Sequence, residues 1–174
     1  MAVGRYARHT KPQMLKAIRE KVLYATDLHE GAGGATLSYE GASPYWPLGA
    51  SASNYVIGDL KVPVDRVRGT DAQVYVVFYQ SNVPPGGGNV VLYIEYAVVG
   101  IGESVTKPRG HKTDIVYGVK GYPGTQWSHG FWIYASEMDG LENADIQMAV
   151  GRSGPDGADT APADTRILKV VFRY

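Results

Sequence analysis

The stretch that decides the fold is "NVVLYIEYAVV", residues 89–99. Its apolar residues fall on alternate positions: Val90, Leu92, Ile94, Tyr96 and Val98 on one side, Val91, Tyr93, Glu95 and Ala97 on the other. A period of two is the signature of a strand with one buried face, because successive side chains leave a pleated chain on opposite sides. The same period occurs in "AQVYVVFYQ" (72–80), where Val74, Val76 and Phe78 alternate with Gln73, Tyr75, Val77 and Tyr79. It returns in "ADIQMAV" (144–150) and "ILKVVFRY" (167–174). Between these runs stand turn-forming clusters such as "NVPPGGGN", "YPGTQ" and "GRSGPDGADTAPADT". With "YVIGDLKV", "DIVYGVK", "HGFWIYA" and one strand from residues 36–46, this gives seven or eight strands and no crossover helix. The expectation is an all-β fold, an antiparallel two-sheet jelly-roll sandwich over residues 37–174.

Working outward, the first 36 residues read differently. Residues 1–22 hold six basic residues against Glu20, a net charge of +5 in a chain whose 17 basic and 17 acidic residues cancel. Thr10 and Gln13 have capping-box spacing and Pro12 suits a first helical turn. Met14, Leu15, Ile18, Val22 and Ala25 then recur on one helical face, predicting a short N-terminal helical arm, followed by a glycine-rich linker at "GAGGAT" (31–36). A helix this short is marginal in water and needs a surface to dock on.

The composition excludes several classes of function. The sequence has no cysteine, hence no disulfides and no thiolate metal site. No apolar run approaches a membrane span, and the leader lacks a secretory apolar region. His9, His29, His111 and His129 lack metal-ligand spacing, there is no G-x-S-x-G, and no pair of carboxylates is brought together by the pattern. No catalytic residue, metal or cofactor is expected. The basic leader is too weak a footprint to assign nucleic acid as a partner. Aromatic residues on a sandwich can stack on sugar rings, and Tyr45, Trp46, Trp127 and Trp132 are candidates, although core or edge packing is favoured for them.

From about Trp46 onward the order of strands and turns ("GDLKVP", "VYVVFYQS", "NVVLYIEYAVVGIGE", "IYASEMDGLENADIQMAVGR", "DGADTAPADTRILKVVFRY") resembles a jelly-roll domain of tailed-phage virion proteins. The resemblance implies a capsid decoration, or cement, protein that binds the major capsid protein as a homotrimer on the virion, made in the host cytoplasm. On that expectation Arg5, Tyr6, Arg8, Lys11, Met14, Leu15, Ile18, Arg19 and Val22 of the arm contact the capsid. Tyr75, Val77, Tyr79, Val91 and Tyr93 would form an apolar subunit contact. The alternative is a tail or fibre module that binds host-surface glycans.

Overall fold

The computed structural model describes residues 19–81, 87–104, 110–119 and 125–174. The alternating runs form strands and pack as two antiparallel sheets, so the jelly-roll sandwich expected from the sequence is present. The strands are β1 (Glu20–Tyr24), β2 (His29–Glu30), β3 (Ser38–Glu40), β4 (Ser43–Leu48), β5 (Ser53–Lys61), β6 (Ala72–Gln80), β7 (Gly88–Val99), β8 (Gly110–Val119), β9 (Trp127–Ile133), β10 (Asp145–Ser153) and β11 (Thr165–Arg173). One sheet runs β3-β4-β11-β6-β9, with β1 also paired to β11; the other runs β2-β5-β10-β7-β8. A single helical turn, α1 (Ala135–Met138), follows β9 in the stretch "SEMDGLENAD", where the interrupting Gly140 predicts no more than that.

The core lies between the sheets. Val74, Val76 and Phe78 of β6 and Ile133 of β9 meet Leu92 and Ile94 of β7 and Ile146, Met148 and Val150 of β10, each almost fully buried. Burying such side chains stabilises the fold by about 1.5–3 kcal/mol each. In β11 the register with β6 shifts between Ile167 and Lys169, a bulge. It turns Ile167, Val170 and Phe172 inward and leaves Leu168 half-exposed, where strict alternation predicts Leu168 inside.

Two readings of the N-terminal region are corrected. The helical face expected to continue through Val22 and Ala25 does not exist there: Glu20–Tyr24 is a strand, with Val22 opposite Val171, and Ala25–Asp27 is a 3-10 turn. "EKVLY" satisfies a period of two as well as of 3.6, and pairing with β11 satisfies its backbone groups along the whole segment. The helix positions Met14, Leu15 and Ile18 lie outside the described residues. The body of the sandwich therefore begins at β1, before residue 37. The second correction concerns "GAGGAT". These residues are packed onto β5: an added Cβ on Gly31 would fall 2.2 Å from the Tyr55 ring, Asn54 donates to the Gly33 carbonyl, and Ala35 is buried.

Candidate functional site

Of the four aromatic residues singled out in the sequence, the fold turns one outward. Trp46 is in the core, its indole N–H donating to the Ala25 carbonyl at 2.7 Å. Trp127 is half-buried against that core. Tyr45 lies edge-on to Tyr79, with the Arg166 guanidinium 4.5 Å from its ring. Trp132 is 48% exposed. The difference follows from parity, since Trp127, Phe131 and Ile133 share the inner face of β9 and Trp132 takes the outer one.

Two residues on, Tyr134 ends the strand with extended backbone and is 53% exposed. The pair stands about 6.6 Å apart along the chain, a short ladder of aromatic rings on an edge strand. On the neighbouring strand Gln73 is opposite Trp132 and Tyr75 is opposite Gly130. Glycine is required at that position. A Cβ there would sit 2.9 Å from Tyr75 Cε1, so the tyrosine ring leans over the bare backbone. The Tyr75 hydroxyl donates to Gln73, and the Arg173 guanidinium lies 4.6 Å from the Tyr75 ring while its Nε donates to Glu20 at 2.7 Å. Trp132, Gln73, Arg173 and Glu20 thus form one row across β9, β6, β11 and β1.

On the other flank the second sheet contributes. Lys112 of β8 reaches across the open side of the sandwich, donates to the Trp132 carbonyl, and rests 4.1 Å from the centre of the Tyr134 ring and 5.4 Å from that of Tyr96. The Tyr96 hydroxyl donates to Glu137 Oε1 at 2.7 Å, and burial together with that carboxylate pushes its phenol well above the usual range. Glu137 Oε2 accepts the Tyr134 backbone N–H at 2.8 Å and so caps α1. The far end of the turn is anchored by Arg66, whose buried guanidinium pairs with Asp139. Beside the ladder lies a depression of about 280 Å³ bounded by Tyr96, Gly110, Ser136, Glu137 and Leu141. Flat apolar rings next to hydroxyl, amide, ammonium and carboxylate groups can stack a planar face and hydrogen-bond its rim. Among the described residues no group of three or more acidic or histidine side chains is placed to hold a metal ion.

The residues expected at a subunit contact do not form one patch. Tyr75, Val77 and Tyr79 lie on the outer face of one sheet, and Val91 and Tyr93 on that of the other, because the chain crosses between sheets from β6 to β7. Tyr79 and Val91 are buried within the subunit, the first with its hydroxyl on Glu40, the second where the 154–164 loop folds over β7. Tyr93 lies across Gly151 and stacks on His111 at 5.7 Å. Of the arm residues, Arg5, Tyr6, Arg8, Lys11, Met14, Leu15 and Ile18 lie outside the described residues; Arg19 pairs with Asp65, and Val22 faces outward from β1. The sequence reading missed Tyr134, Lys112 and Gln73. Tyr134 was within reach of it, since Trp132 and Tyr134 continue the period of two in "HGFWIYA". Lys112 was not, because its place depends on how the two sheets meet.

No family model and no curated protein matches this sequence. Among solved structures, a family 35 carbohydrate-binding module from Clostridium thermocellum is 11% identical, with 88% of this chain and 97% of that chain covered and a TM-score of 0.54. A second family 35 module from the same organism is 16% identical (88% and 98% covered, TM-score 0.53). The xylan-binding module CBM15 is 15% identical (90% and 95% covered, TM-score 0.52). At such identities the likeness establishes the jelly-roll fold. It also overturns the capsid-decoration reading: the sandwiches that this chain matches over nearly their full length are carbohydrate-binding modules, and strand order alone gives no warrant for a virion, a capsid partner or a homotrimer.

Proposed function

We propose that this chain is a non-catalytic glycan-binding module. The observation that carries the reading is the exposed Trp132–Tyr134 ladder, set between the Gln73–Tyr75 pair and the Lys112 ammonium, beside the depression that Ser136 and Glu137 line. The rings stack on the C–H faces of successive sugar units, and the polar groups hydrogen-bond the hydroxyls at their rims. The neighbours' description as carbohydrate- and xylan-binding modules supports the same class of ligand, and xylan is the first polysaccharide to try. Glu137 is engaged in capping α1 and holding Tyr96, which suits a binding role and leaves it poorly placed for acid–base chemistry.

The test is titration calorimetry and affinity electrophoresis of the purified protein against a panel of soluble polysaccharides. Binding to at least one is expected. Trp132→Ala should weaken it by roughly 2 kcal/mol, about thirtyfold, as loss of a central aromatic contact does. Full retention of affinity in Trp132→Ala, or no binding across the panel, defeats the reading.

A further inference from the structure

We infer that the Trp132 row takes an acidic polysaccharide, with Lys112 pairing an anionic group of the sugar, either a uronate carboxylate or a sulfate ester. The inference rests on the glycan-binding reading and adds the charge of the ligand. Its support is the state of Lys112. The ammonium is fixed against the aromatic ladder by the Trp132 carbonyl and the rings of Tyr96 and Tyr134, none of them anionic. The acid that touches both tyrosines, Glu137, has one oxygen on the Tyr96 hydroxyl and the other on the Tyr134 N–H. Residues 1–18, 82–86, 105–109 and 120–124, which the structure does not describe, contain no Asp or Glu. No segment of the chain outside the described residues therefore brings a counter-ion to this amine. A cation held at a stacking surface is satisfied best by a charge-assisted hydrogen bond from the ligand.

The experiment uses the full chain and four ligands: a glucuronate-substituted xylan, the same polymer after carboxyl reduction, dextran sulfate and dextran. The acidic xylan should bind roughly tenfold more tightly than its reduced form, as expected for one charged hydrogen bond. The advantage should vanish in 1 M salt, where charges are screened beyond about 3 Å. Lys112→Met, which keeps the stem on the rings, should abolish the preference while binding to the reduced polymer persists; Lys112→Arg should retain it. A preference confined to dextran sulfate supports the inference with a sulfate ester as the anion. Equal affinity for acidic and neutral polymers overturns it and leaves the glycan-binding reading standing. So does a preference that survives Lys112→Met. Absence of binding to every polymer sinks the parent reading instead.

Discussion

The Arg152 cluster gives the sharpest test of how the sandwich is closed. Arg152 points from β10 into the end of the core with 0% of its side chain exposed, and Asp159, 1% exposed, meets it in a two-pronged pair at 2.9 and 2.7 Å. The remaining guanidinium hydrogens go to the carbonyls of Leu48, Ala161 and Ala163, and Asp159 Oδ2 also accepts the Val91 N–H at 3.0 Å. Asp159→Ala leaves a buried cation without its partner, which costs about 3–5 kcal/mol. For a chain of this size that lowers the melting temperature by roughly 10 °C. Arg152→Met removes the cation, but it orphans the carboxylate and three carbonyls together and should cost at least as much. The informative case is the double variant, Arg152→Met with Asp159→Leu. An isolated buried ion pair can often be exchanged for apolar residues at no loss. Here the exchange still strands the Leu48, Ala161 and Ala163 carbonyls, at about 1–3 kcal/mol for each that water does not reach. Guanidinium unfolding followed by circular dichroism should show the double variant at least about 3 kcal/mol below the native protein. A double variant as stable as the native chain refutes the argument, because it would mean that the arginine serves only its aspartate.

Three further outcomes follow from the geometry. Trp127→Ala should lower stability by about 3 kcal/mol through the cavity it leaves, whereas Trp132→Ala should leave the unfolding midpoint nearly unchanged; equal effects in a denaturant titration would contradict the assigned burial. Gly130→Ala puts a methyl group under the Tyr75 ring and should reduce glycan affinity several-fold with the far-ultraviolet spectrum intact; unchanged affinity would separate Tyr75 from the site. Burial raises the Tyr93 phenol to about 12, with Glu95 adding to the effect. The unfolded phenol ionises near 10, so the stability tied to this group is intact below pH 10 and falls as pH climbs from 10 through 12. Phenolate absorbance during an alkaline titration should therefore show a tyrosine that ionises near pH 12 instead of near 10.

The strands were legible because a buried sheet face imposes a period of two, and β6, β7 and β10 obey it residue by residue. β1 was not, since "EKVLY" fits a helix and a strand equally; the choice is made by the vacant flank of β11, which no local pattern announces. "GAGGAT" misleads for a related reason. Its glycines signal flexibility by composition, yet Gly31 and Gly33 are small so that Tyr55 and Asn54 can close over them. The 154–164 loop between β10 and β11 shows the limit most plainly. Asp156, Asp159 and Asp164 look alike in the sequence, and only the fold selects Asp159 for a buried partner on β10. The candidate site was half visible: Trp132 stood in the notation of the strand, but a cation delivered from the far sheet could not be found by spacing. The apolar contact patch failed on topology, because neighbouring strands in the sequence belong to opposite walls.

The meeting of β1 and β11 has a mechanical consequence. Arg19 and Tyr174 exchange backbone hydrogen bonds in both directions, at 3.1 and 2.9 Å, so the entry and exit of the sandwich lie side by side on one pair of antiparallel strands. A tether pulled through both ends would load those bonds one after another, as a zipper opens, rather than all at once. β1 would peel away at low force and take the Glu20 clasp from Arg173 before the core of the sandwich felt the strain.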